Sequence, residues 1–95
     1  MLFLAESHNS GDITQYLEAE TVRIGELMRA GIIETVLVKA DQSGAFLLVR
    51  SADLASARDA VESLPLAAHG LTSVEFTEVI AIDSIPGDPV PQSAS

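Results

Sequence analysis

A glutamate stands where a buried helix face should carry hydrocarbon. At about 100° per residue, Ile13, Leu17, Ile24, Leu27 and Met28 fall on one side of a helix, and Glu20 lands near the middle of them. A carboxylate taken out of water without a partner is costly, or it takes up a proton instead. Such a group is expected to be paired, to stand at the mouth of a cavity, or to act as a base with a raised pKa. Apolar walls raise the pKa toward the range a general base needs. A base of that kind can remove a proton beside a carbonyl, while an imidazole or ammonium steadies the enolate or returns the proton. The plainer alternative is a structural carboxylate, bonded to a backbone group or to an arginine such as Arg23 or Arg50.

The partners available for that chemistry are few. His69 beside Gly70 is either the second catalytic group or a solvated loop histidine, and His8 and Lys39 are expected to contact substrate. Ile24 supplies apolar wall on the Glu20 face. Tyr16, the only tyrosine, is either a hydrogen-bond donor to a ligand or core-edge packing. Glu75 and Thr77 share one face of the last strand, where a structural role is expected. No metal is expected, because two histidines and scattered acids show no ligand spacing. No cofactor is expected either. The glycines form no phosphate-cradling loop, and three phenylalanines without a tryptophan make a poor stacking platform.

Positioning these groups falls to six elements. Residues 1 to 5 read as a strand apolar on both faces, and Ser7-His8-Asn9-Ser10-Gly11 as a loop. Asp12 is a good N-cap, with Gln15 completing a capping-box pattern, and the helix runs to about Ala30 with Gly31 as its left-handed stop. Ile33 to Ala40 and Ala45 to Arg50 form a hairpin across Asp41-Gln42-Ser43-Gly44. Ser51 or Asp53 caps a second helix with Leu54, Ala57, Val61 and Leu64 at helical spacing, closed by Pro65. A final strand spans roughly Thr72 to Ile82. The expected domain is 1–83, followed by a Pro- and Ser-rich tail at 84–95.

The order β-α-β-β-α-β predicts an α+β, ferredoxin-like fold, an antiparallel sheet with two helices on one face. It brings the loop after strand one, the hairpin turn and the loop before strand four to one end, so His8, Lys39, Asp41 and His69 are expected near one pocket mouth. Yet Val36-Leu37-Val38 and Phe46-Leu47-Leu48-Val49 are apolar on both faces. The second face needs a cover, and a second copy of the sheet is the simplest one. A homodimer packed sheet to sheet is therefore expected.

Fourteen acids against five bases give a net charge of −9, which repels phosphate backbones and anionic lipid. Nucleic-acid and membrane partners are not expected. No apolar run reaches the length of a membrane span, and Met1-Leu2-Phe3-Leu4-Ala5 is too short and lacks the basic flank of a signal peptide. Zero cysteines remove disulfides, thiolate metal sites and cysteine nucleophiles, which fits a cytoplasmic setting.

Read together, Met1-Leu2-Phe3, the helix end Glu26-Leu27-Met28-Arg29-Ala30-Gly31 and Ser63-Leu64-Pro65-Leu66 resemble the muconolactone isomerase-like family of dimeric α+β barrels. Leu-Pro-Leu is the more specific part. Ala67-Ala68-His69-Gly70 is similar to a stretch of the related YCII-like proteins. The resemblance implies a barrel dimer, often built into larger rings, with a substrate pocket between first helix and sheet. It also implies that the family's acidic position in the first helix falls at Glu20. Two positions depart from the family pattern: Leu4 replaces a histidine, and Glu34-Thr35-Val36-Leu37-Val38-Lys39 replaces a basic and aromatic cluster. The second departure implies a more apolar, less anionic ligand than muconolactone.

The expected activity is a cofactor-free isomerase or cyclase acting on an unsaturated lactone or polyketide-like carbonyl compound, in aromatic degradation or secondary metabolism. A cofactor-free oxygenase of the same barrel class, and a non-catalytic small-molecule-binding or assembly module, are the alternatives.

Overall fold

Ala5 is fully buried, and Phe3 and Ser7 on either side of it are nearly so, while Leu2, Leu4 and Glu6 between them are half-exposed. This alternation runs along strand β1 (Leu2–Asn9) and marks the face of the sheet that the helices cover. The computed structural model describes residues 1–82. The expected tail and the boundary after residue 83 lie outside the described residues.

After β1 come a 3-10 turn (Thr14–Tyr16), helix α1 (Leu17–Arg29), strands β2 (Ile33–Val38) and β3 (Ala45–Arg50), helix α2 (Leu54–Glu62), a short helix α3 (Pro65–Ala68) and strand β4 (Thr72–Val79). The strands form one antiparallel sheet in the order β2-β3-β1-β4. That is the ferredoxin-like arrangement expected from the order of elements.

Several boundaries differ from expectation, and two strands stop short of it, β2 at Val38 instead of Ala40 and β4 at Val79 instead of about Ile82. Ser7, His8 and Asn9 continue β1, because β4 pairs with it along its whole length, from Leu2 opposite Val79 to Asn9 opposite Thr72. Asp12 forms no capping box with Gln15; its Oδ1 accepts from the Thr14 backbone N at 3.0 Å, so the chain makes a 3-10 turn before α1 begins. Pro65 opens a helix instead of closing one, since its fixed φ and missing N–H suit a first helical position.

Other local signals act as expected. Gly31 takes φ +78° beyond α1, and the Gly31 and Ile32 N–H groups donate back to Met28 and Leu27, closing the helix in a Schellman arrangement. Asp53 caps α2 by accepting from Ser56 N at 2.8 Å. Gly44 is required by close approach: a Cβ there would lie 1.8 Å from the Ser7 carbonyl oxygen.

The core joins Leu27 of α1 and Ala57, Val61 and Leu64 of the α2 region to Phe3, Ile33, Leu47 and Val49 of the sheet. On the other face, Leu2, Leu4, Phe46, Leu48 and Val79 are half-exposed and Leu37 is 62% exposed. No helix among the described residues covers that face. No helix among the described residues is long and apolar enough to cross a membrane.

Candidate active site

The side chains that β1 turns toward the helices pass from large to small along the strand, from Phe3 to Ala5 and Ser7. Beside them, antiparallel β3 begins at Ala45, directly after Gly44. Large residues fill one end of the layer between helices and sheet, and small ones leave the other end hollow. The hollow is a cavity of about 250 Å³. Its floor is Ser7, Ala45 and Leu47, flanked by Val36 and Val38 of β2 and Val74 of β4. Leu17, Glu20, Thr21 and Ile24 of α1 form the roof, and Val61, Leu64, Leu66 and Ala67 close one side. Asn9, Gln42 and Thr72 lie at the strand-end rim.

Glu20 is half-buried in this otherwise apolar roof. Its Oε1 accepts a hydrogen bond from the Leu66 backbone N at 2.9 Å. The N–H of Leu66 lies in the first turn of α3, where no intrahelical acceptor exists, so the carboxylate satisfies an orphan donor. Loss of water pushes the Glu20 carboxyl above the usual carboxylate range, and the Leu66 bond only partly opposes that. Arginine pairing does not occur. Arg23 binds Glu26 and Ser63, and Arg50 pairs with Glu34.

Of the other residues expected at the site, Ile24 lines the cavity and the rest do not. His8 and Lys39 occupy the opposite face of the sheet. Extension of β1 through Asn9 forces this, since His8 then alternates outward from buried Ser7. On that face Lys39 Nζ donates to Glu6 Oε2 at 2.9 Å and lies 3.4 Å from His8 Nδ1. His8 Nε2 lies 3.2 Å from Glu75 Oε1, so an ammonium facing Nδ1 assigns the ring proton to Nε2. The Lys39 ammonium holds the Glu6 carboxyl below its ordinary value. Glu6, His8 and Glu75 place possible ligand atoms within 4.8 Å of one another, a grouping that spacing along the chain did not reveal. Lys39 already supplies positive charge there.

His69 caps the end of α3 on the surface and stacks on Tyr16, ring centroids 4.3 Å apart and planes at 22°. The pair ties the entry of α1 to α3 from outside the cavity. Asp41 accepts from Ser43 within the hairpin turn, and its neighbour Gln42 is the residue that reaches the rim.

Sequence reasoning missed Ser7, Asn9, Gln42 and Thr72. The available signal was the change from large Phe3 to small Ala5 and Ser7, beside small Ala45, which predicts a gap wherever β1 carries on past Ala5.

No family model matches the chain, and no curated protein matches it in sequence. Among solved structures it is similar to a 5-chloro-2-hydroxyhydroquinone dehydrochlorinase from Burkholderia phenoliruptrix AC1100, in complex with 2,5-dihydroxybenzoquinone. The two share 17% identity at a TM-score of 0.65, over 84% of this chain and 94% of that one. At that identity the likeness concerns the fold: a small ferredoxin-like α+β chain with helices over one face of a four-stranded sheet.

Proposed function

We propose that this chain is a cofactor-free enzyme that moves a proton on a small carbonyl or enol compound, with Glu20 as the base. One observation carries the reading: among the described residues, the single ionisable group on the cavity wall is a carboxylate whose pKa is raised by burial. An acid whose pKa is raised by loss of water can take a proton from carbon and return it, as an isomerase or cyclase requires. The resemblance to muconolactone isomerases supports this chemistry. So does a fold neighbour whose named ligand is a dihydroxybenzoquinone. The expected imidazole partner is absent from the cavity, so Glu20 serves as both acceptor and donor of the proton.

Proton exchange tests this without knowledge of the natural substrate. The neutral ketone 2-tetralone in D2O should exchange its α-hydrogens faster with the protein than in buffer, read by proton NMR. Glu20→Gln should lower that acceleration by about a hundredfold or more, the usual contribution of a positioned base. Equal exchange by both proteins contradicts the assignment.

The uncovered sheet face supports a homodimer packed sheet to sheet, with Leu4, Phe46 and Leu48 at its centre and the Glu6–Lys39–His8–Glu75 network toward one end. Sedimentation should show two copies, and Leu48→Lys should yield monomers. A wild type that sediments as a monomer at micromolar concentration removes the dimer.

A further inference from the structure

We infer that the cavity selects an uncharged ring compound bearing a hydroxyl, as a phenol or enol, and rejects the same ring bearing a carboxylate. The inference rests on the reading of this cavity as the ligand site and adds the charge class of what enters it.

Every cation of the chain is placed elsewhere. Arg23, Lys39 and Arg50 are paired with Glu26, Glu6 and Glu34, Arg58 lies over the Phe76 ring, and Arg29 stands in the last turn of α1. None of the five lines the cavity, and neither histidine does. An anion brought inside would meet no opposite charge and would face the Glu20 carboxylate in surroundings of low dielectric.

The neutral donors of the wall are committed as well. Ser7 donates its hydroxyl to the Ala45 carbonyl, Thr21 to that of Leu17 and Thr72 to that of His8. Only the rim amides of Asn9 and Gln42 remain, and Asn9 already donates to the Gln42 carbonyl. A carboxylate buried without donors leaves its acceptors unsatisfied, which is the costly case.

A hydroxyl meets the opposite situation. One oxygen of Glu20 holds the Leu66 N–H, and the second is an acceptor for a ligand O–H. Such charge-assisted O–H···O⁻ bonds are among the stronger ones. Size agrees: a cavity of roughly 150 Å³ holds benzene, so about 250 Å³ admits a substituted ring or two fused rings.

The pair 2-naphthol and 2-naphthoate tests the rule, since the two differ in charge while sharing a ring system. Calorimetry at pH 7 should show 2-naphthol binding at least about tenfold tighter than 2-naphthoate, the scale of one hydrogen bond to a charged group. Ala45→Leu, which fills the floor, should abolish binding of 2-naphthol. Glu20→Gln keeps an oxygen for Leu66 N–H but turns an amide donor into the cavity. The preference should then narrow or invert, with 2-naphthol weakened and 2-naphthoate strengthened. Equal binding of the two compounds by the wild type, binding of neither, or a ratio unmoved in Glu20→Gln overturns the inference. Its failure is separable from failure of the catalytic reading. Selectivity without 2-tetralone exchange leaves a binding site with no chemistry, and exchange without selectivity leaves the base and removes the charge rule.

Discussion

The two ends of the layer between helices and sheet are built on opposite principles. At one end Leu27, Ala57, Phe3, Ile33 and Val49 interlock and are almost fully buried. At the other, Ser7, Gly44 and Ala45 withdraw from the same helices, and Leu17, at the start of α1, remains 46% exposed. One helix spans both regimes: its C-terminal turn anchors the core, and its N-terminal half roofs a hollow with a carboxylate in it. The contrast teaches that α1 is packed into the core at its C-terminal end, while its N-terminal end is held by the Glu20–Leu66 bond and the Tyr16–His69 stack and roofs a hollow.

The largest effect that tests this contrast is truncation at the anchored end. Leu27→Ala should destabilise by about 2–5 kcal/mol, whereas Leu17→Ala, the matching change over the cavity, should cost about 1 kcal/mol or less. Denaturant unfolding measures both, and equal losses would erase the distinction.

Enlargement runs the comparison in reverse. Ala57→Leu crowds a fully packed site and should cost about 1–3 kcal/mol. Ala45→Leu enters empty space and should leave stability within about 0.5 kcal/mol of wild type. A penalty at Ala45 as large as that at Ala57 would show that the hollow end is already filled.

Smaller still is the pH dependence at Glu20. Its folded-state pKa is raised above the ordinary 4.5, so its stabilising contribution is complete below that value and is lost as pH rises through the folded pKa. Glu20→Gln cannot ionise there. Relative to this variant, the wild type should therefore lose stability on going from pH 4 toward neutrality. A difference that grows the other way means that the carboxylate is favoured in the folded protein. Asp12 and Asp53, bonded to backbone N–H groups, and Asp41, bonded by the Ser43 hydroxyl and N–H, have lowered pKa values that are common to both proteins and cancel in this comparison. Their contribution is present above the ordinary Asp value and disappears as pH falls through the folded one.

Least of all should come from Lys39→Met on the outer face. It breaks contacts to Glu6 and His8 on the face opposite the cavity, so 2-naphthol binding should not change. A loss of binding there would tie the outer network to the cavity.

Much of this architecture is legible in the sequence. The β-branched and apolar runs on either side of Asp41-Gln42-Ser43-Gly44, the Gly31 stop and the Asp53 cap marked the order of elements, and with it the sheet. Glu20 was legible because one acid in an apolar stripe breaks a periodic pattern. The surrounding site was not, and the reason lies in β1. Ser7, His8 and Asn9 have turn-like composition, and only pairing with β4 makes them strand. That pairing places His8 and, through register, Lys39 on the far face, and it places Ser7 over the cavity. Side-chain direction at those positions is set by partners far along the chain, which local composition does not encode. His69 and Tyr16 were likewise visible as chemistry-bearing residues, but their mutual stacking draws them together outside the wall.

A carboxyl 13C NMR titration of Glu20, assigned by its disappearance in Glu20→Gln, addresses the acid in the cavity most directly. The carboxyl signal should titrate above the ordinary 4.5, and saturating 2-naphthol should shift its midpoint. A midpoint at or below the ordinary value, unmoved by 2-naphthol, would contradict the account.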